Sequence, residues 1–380
     1  MIIKAKNIEL EIENGKITQI GSGLNNNSVQ FYDLSKYTII PGLVDMHCHL
    51  REPGYEYKED INSGIESAIN AGIVGICPMA NTNPVNDNIV ILKKMIKKAG
   101  NNIGFFPICA VTYNLEGKRL TNFNDLKANG AIAFSDDGMP ILDKDLFKLS
   151  LKSNELIISH CEDEVKEVKW QLDILEKIGG KLHFAHISKK ESVDFIREAK
   201  KRGIEVTCET APHYFIFNKD HLSKNVFENG VYKMNPPIGT KEDMEAVIDG
   251  LLDGTIDVIA TDHAPHSKNE KLKYYNISPN GIVGFETAIG AILSKFNLDL
   301  LIEKMALNPA KILNLKDFND IKVGSKANLT IIDENKIWKV NQNGFKSKCK
   351  VSPFNGMEFI GKAIGTIING KLNMINYEEV

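Results

Sequence analysis

Between Thr38 and Asp262 the chain repeats one unit eight times: a short apolar run rich in β-formers, a polar cluster at its C-terminal end, then a helical stretch. The runs are TIIPGLVDMH (38–47), GIVGICPM (72–79), IGFFPICAV (103–111), GAIAFSD (130–136), ELIISH (155–160), KLHFAH (181–186), EVTCET (205–210) and IDVIATD (256–262). Near-continuous apolar strands suit a parallel sheet covered on both faces. Eight of them alternating with helices predict a closed (β/α)8 TIM barrel in preference to a doubly wound open sheet. The intervening stretches Glu164–Ile178 and Lys189–Arg202 carry helical periodicity, and Gly179, Gly180 and Gly203 read as stops before the next strand.

The ends follow another pattern. IIKAKNIELEIENGKITQIG reads as two alternating strands about the turn Glu13-Asn14-Gly15, and ANLTIID, AIGTIING and KLNMI read as short strands. Neither end has enough strands to bury a face alone, so the two are expected to pair into a small β-sandwich. The chain then divides into 1–40 (N-terminal part of the sandwich), 41–318 (barrel) and 319–380 (C-terminal part). A barrel takes about 250 residues, which leaves room for such a module in a chain of 380. With 43% hydrophobic residues, 25% charged residues and a net charge of −3, the chain reads as a soluble protein with no bias toward nucleic acid or membrane. No apolar run reaches the roughly 18 residues of a membrane span. Met1–Leu10 alternates and carries lysines, unlike a signal peptide. The six cysteines form no CxxC pair, which predicts buried reduced thiols and a cytoplasmic setting.

The chemistry gathers at the run ends. In Asp45-Met46-His47-Cys48-His49 the two histidines are two residues apart, so on a strand both point to one side and can share a cation. His160 ends the fifth run, His186 the sixth and Asp262 the eighth. In a barrel those ends converge on one axial point. Imidazole and carboxylate suit zinc and related metals. Asp136 and Asp137 of FSDDG add carboxylate between His49 and His160, and one of them could bridge two cations. Asp-Asp-Gly is equally ordinary turn chemistry. His183 stands three residues before His186 and is read as structural; His213 is left open as a pocket residue and His221 is placed on the surface.

Taken in order, HCHLREPG, ANTNP, FSDDG, HCEDE, HFAHIS, ETAPHYF, KMNPPIG and ATDHAPH resemble the class I dihydroorotases of the amidohydrolase superfamily, over essentially the whole chain. The resemblance implies that His47 and His49 hold one zinc and His160 and His186 a second, with Asp137 bridging and Asp136 the fallback. Related hydantoinases bridge with a carboxylated lysine, and no lysine stands at the end of the fourth run. Arg51 and Asn81 are implied to grip the substrate carboxylate, supported by His266, while Asn235, Asn280 and Gly281 line the rest of the pocket. An arginine fork matches a carboxylate and an amide adds a directional donor. One departure is clear: relatives carry a longer segment where Val165–Gly180 holds little more than one helix.

The implied reaction is the reversible cyclisation of N-carbamoyl-L-aspartate to L-dihydroorotate in pyrimidine synthesis, with one or two Zn2+ per chain and two favoured. Water acidified at the cation attacks the ring amide. Asp262, counted also among the metal ligands, takes the proton and returns it to the leaving nitrogen. Two other readings compete. A hydantoinase or allantoinase would have no carboxylate for Arg51 and Asn81 to grip. A silent homologue partnering aspartate carbamoyltransferase should have lost ligands that this chain keeps. A homo-oligomer is expected.

Overall fold

A computed structural model describes residues 1–25, 29–222, 229–318 and 320–375. Residue 319, at the expected start of the third segment, and residues 376–380 lie outside them. Five strands come first: β1 (Ile2–Ala5), β2 (Glu9–Glu13), β3 (Lys16–Gly21), β4 (Phe31–Leu34) and β5 (Thr38–Pro41). Seven line the central ring: β6 (Leu43–Cys48), β7 (Ile73–Pro78), β8 (Gly104–Phe105), β9 (Leu156–Ser159), β10 (Lys181–Phe184), β11 (Val206–Thr210) and β12 (Val258–Ile259). Three close the chain: β13 (Leu329–Lys339), β14 (Glu358–Ile368) and β15 (Lys371–Met374).

The ring strands pair in parallel as β6-β7-β8 and β9-β10-β11-β12. The fourth run, expected as a strand, forms only isolated parallel bridges, Phe134 to Cys109 on one side and to Ile157 on the other. Its main chain still fills the fourth place: Ser135 N donates to Cys109 O and Ile158 N to Phe134 O, at 2.9 and 2.8 Å. A parallel bridge from Cys48 to His263 closes the ring. There His49 N donates to His263 O at 2.7 Å, and the buried Asp45 carboxylate accepts from Thr261 N at 2.9 Å. The result is a (β/α)8 barrel. The helices outside it are α1 (Ile61–Asn70), α2 (Ile89–Ala99), α3 (Phe123–Ala128), α4 (Lys144–Leu151), α5 (Glu164–Ile178), α6 (Lys190–Lys201), α7 (Pro212–Ile216), α8 (Lys241–Leu252), α9 (Lys268–Lys271), α10 (Ala288–Leu293), α11 (Leu298–Ile302) and α12 (Asn308–Ile312). Side-chain caps start several of them: Asp60 accepts from Ser63 N, Asn88 from Val90 N and Thr240 from Asp243 N.

The first run divides at Gly42. Its leading half, β5, leaves the barrel and pairs antiparallel with β13, because Pro41-Gly42 lets the chain pass from one layer to the other. The N-terminal stretch folds as three strands instead of two: the chain reverses between β1 and β2 as well as at Asn14-Gly15, where both φ are positive (50° and 78°), as a two-residue hairpin turn needs. The sheets β3-β2-β1-β4 and β15-β14-β13-β5 enclose a core of their own, with Ile3, Leu10, Ile17, Ile39, Leu329, Ile331 and Ile367 all buried. This is the β-sandwich, and it is separate from the large apolar core that fills the barrel and its helix layer. All six cysteines are buried and free. Among the described residues no helix is long and apolar enough to cross a membrane.

Candidate metal centre and active site

His47, near the end of β6, and His49, just past it, reach the C-terminal mouth of the barrel. Asp137 stands opposite them, its Oδ1 3.4 Å from His47 Nε2 and its Oδ2 3.6 Å from His49 Nε2. The same Oδ1 is 3.4 Å from His160 Nδ1 and 3.7 Å from His186 Nε2. Two buried triads, His47–His49–Asp137 and Asp137–His160–His186, therefore share one carboxylate. Asp136 faces away, its carboxylate accepting from Thr112 N at 2.9 Å and from the Thr112 hydroxyl. Asp262 sits on the first lobe, 3.1 Å from His49 Nε2 and 3.6 Å from His47 Nε2.

Three atoms of this group, His47 Nε2, Asp137 Oδ1 and His186 Nδ1, are buried and have no hydrogen-bond partner among the described residues. Such groups are costly unless something positive or hydrogen-bonding fills the space between them. The electrostatics agree. Burial would raise the Asp137 carboxyl, yet the charge on His47 and the close approach of the His160, His186 and His47 rings hold it well below the usual range. Asp262 is likewise lowered against its burial by His49 and His47. His160 is pushed the other way, up to about 9: burial opposes the shift, but its bonds to Asp137 and Glu162 prevail. The donor set and its demand for positive charge fit metal cations.

Behind His47 lies a residue that the run-end reasoning passed over. Glu209, on β11, holds His47 Nδ1 at 2.6 Å, and its other oxygen is 3.3 Å from His183 Nε2; His183 Nδ1 in turn lies 2.8 Å from Thr207 Oγ1. Glu209 is a buried carboxylate in the mixed run EVTCET, and an acidic residue next to the end of a strand-like run was the available signal. His183, read as merely structural, thus stands one residue removed from a candidate ligand.

A cavity of about 160 Å³ opens above the triads, lined by His49, Arg51, Asn81, Asp137, Gly138, His160, His186, Asn235, Asp262, Ala264, Asn280 and Gly281. His47 is sealed beneath its floor, with no exposed surface. His266 stands behind the wall instead of in it, 3.3 Å from Arg51 Nη2 and 2.7 Å from Asn280 O. Burial, with Arg51 and Lys58 close by, pushes His266 down to about 2. Asn81 bonds His49 Nδ1 at 2.9 Å and Asp137 Oδ2 at 3.0 Å. Asn235 donates to Glu162 Oε2 at 2.8 Å. His213 is buried outside the cavity lining and pushed down to about 3 by burial, and His221 is half-buried in a capping turn. Arg51, His186 and Asp262 all have positive φ (62°, 35° and 47°), a strained choice for such residues that aims strand-end side chains into one pocket.

Residues 38–372 match the Amidohydrolase family. A dihydroorotase of Acetivibrio thermocellus is 39% identical over 98% of this chain and 95% of its own length. One of Syntrophus aciditrophicus is 39% identical over 96% and 94%. Among solved structures, an L-hydantoinase (dihydropyrimidinase) from Arthrobacter aurescens superposes with a TM-score of 0.85 at 23% identity, covering 98% of this chain and 95% of that one, a likeness of fold. Sequence kinship over nearly the full length and a strand-end cluster of histidine and aspartate lead to one assignment: the chain belongs to the metal-dependent amidohydrolase family, among its dihydroorotases.

Proposed function

We propose that this protein is a zinc dihydroorotase that interconverts N-carbamoyl-L-aspartate and L-dihydroorotate. The observation that carries the reading is the company Arg51 keeps: a half-buried guanidinium, suited to a carboxylate, lines the same small cavity as Asp262 and the metal triads. In this reading His47 and His49 would hold one Zn2+ and His160 and His186 a second, with Asp137 available to both. When bound they supply Lewis acidity and acidify water. Asp262, kept ionised and within reach of the first lobe, takes the proton from the attacking water and delivers it to the ring nitrogen as the amide opens. Arg51 grips the carboxylate, steadied by Nε donating to Pro265 O at 3.0 Å and by His266. Asn81 joins it by exchanging its bond to Asp137. Asn235, Asn280 and Gly281 complete the wall. The catalytic unit is the barrel, taken as residues 41–318, with 1–40 and 319–380 forming the sandwich.

The test is hydrolysis of L-dihydroorotate by the zinc-loaded chain beside Asp262→Asn. Turnover by the wild type should fall about 10²–10⁴-fold in the variant, the range for loss of a positioned acid–base group. A wild type that ignores dihydroorotate and opens hydantoin would replace this reading with a hydantoinase. Activity that emerges only on adding aspartate carbamoyltransferase would make the chain a partner-dependent enzyme.

A further inference from the structure

Behind the cavity lining, five residues after His266, a lysine is buried almost completely. Lys271, the last residue of α9, is 1% exposed, and among the described residues its ammonium has no carboxylate partner. It donates instead to two main-chain carbonyls, Lys233 O at 2.7 Å and Pro279 O at 3.0 Å. Burying an ammonium without a counter-charge is unfavourable. Burial, with Lys233 and Arg51 adding to it, pushes Lys271 down to about 7.

The position of those two carbonyls explains what the lysine does. Lys233 lies two residues before Asn235, and Pro279 directly precedes Asn280 and Gly281; all three of these residues line the cavity. Lys233 O also accepts from Gly281 N at 3.0 Å, so one carbonyl receives both the ammonium and the pocket glycine. Gly281 has φ +121°, and a Cβ there would lie 2.6 Å from Ala264 O, so the backbone at this point tolerates little displacement. Ser278 Oγ adds a bond to Gly230 O at 3.3 Å between the same two segments.

We propose that Lys271 is a positioning residue for substrate: its ammonium laces the 230–235 segment to the 278–281 segment and thereby sets the part of the cavity wall that Asn235, Asn280 and Gly281 form. This rests on the dihydroorotase reading for the identity of the substrate and on the geometry alone for the lacing. A wall that contacts substrate and transition state alike alters KM and leaves the chemical step nearly untouched.

The test compares wild type with Lys271→Met, which keeps the stem and loses the donors, and Lys271→Gln, which can still donate. In zinc-loaded protein, Lys271→Met should raise KM for L-dihydroorotate about ten- to hundredfold with kcat within about threefold, and Lys271→Gln should recover part of the loss. Amide hydrogen exchange should quicken about tenfold or more at Gly281 and remain unchanged in β9, β10 and β11. Unchanged KM and exchange in Lys271→Met would overturn the proposal. So would faster exchange throughout the barrel in the more conservative Lys271→Gln, since the lysine would then serve overall stability. If the wild type leaves L-dihydroorotate unchanged, the functional reading has failed, and exchange at Gly281 alone decides the role of Lys271.

Discussion

His47 meets its candidate cation with one ring nitrogen and Glu209 with the other, so the state of the imidazole is set from behind. Burial would raise the Glu209 carboxyl, but His47 and His183 hold it at about 2, and it stays charged throughout the working range. A carboxylate there fixes the tautomer and strengthens the ligand nitrogen. Glu209→Gln keeps the shape and removes the charge, and zinc affinity measured by chelator competition should weaken about 10–100-fold. Unchanged affinity would leave Glu209 as packing only. Glu209 also shows where sequence reasoning stops at this scale. His47 and His49 could be paired in advance because strand period two places them on one side. Nothing in the sequence links residue 209 to residue 47; that contact exists only because the barrel brings β6 and β11 to a common interior. From the residues alone the choice between Asp136 and Asp137 stayed open, since each suits the turn; the resemblance favoured Asp137, and in the fold the Thr112 contacts turn Asp136 away.

At the scale of elements, apolar runs announced the barrel staves well, and the failures came where a run was asked to belong to one layer. The first run crosses from sandwich to barrel at Gly42, where an added Cβ would sit 2.2 Å from Val74 Cγ2 and 2.6 Å from Asn328 O. The carbonyl belongs to the main chain leading into β13, so it cannot swing aside as a side chain could. Gly42→Ala should therefore destabilise by about 1–3 kcal/mol, the usual range for overpacking, read as a lower urea midpoint. Gly344→Ala, where nothing lies within 4 Å, is the control. Equal midpoints for the two variants would mean that the junction has slack. The fourth run fails differently. Ala131, Ala133 and Phe134 are buried as strand residues should be, but the segment bonds its neighbours too sparsely to form a ladder. Apolar pattern reports burial, and hydrogen-bond register is a separate condition. Between the fifth and sixth runs, α5 spans 15 residues with Val168, Leu172 and Leu175 buried, and Glu164 at its start accepts from Ser188 N and Lys189 N, just beyond His186.

Across the whole molecule, the C-terminal chain is tied to the barrel through Glu286, which receives Ser67 Oγ at 2.9 Å from α1 and the Lys346 amide from the segment leading to β14. The sequence offered strand patterns at both ends and hence a sandwich, but not this tie, because residues 67, 286 and 346 meet only after the barrel has closed. The carboxyl is raised by burial to about 7, more than the bonds from Lys346 and Ser67 can offset. An unfolded glutamate ionises near 4.5. Between about pH 4.5 and pH 7 the folded state thus holds a proton that the unfolded state has released. The contribution of Glu286 to stability is therefore fully present below that window and lost as pH rises through it. A fully buried group with this shift would change stability by about 3 kcal/mol. Glu286 keeps a partly exposed rim, and solvent screening brings the expectation to about 1–2 kcal/mol. Glu286→Gln removes the titration and preserves the shape, so urea unfolding at pH 5 and pH 8 should show the variant gaining on wild type by that amount at the higher pH. Parallel pH profiles for the two proteins would show that Glu286 is already ionised at pH 5 and that the tie is an ordinary charged one.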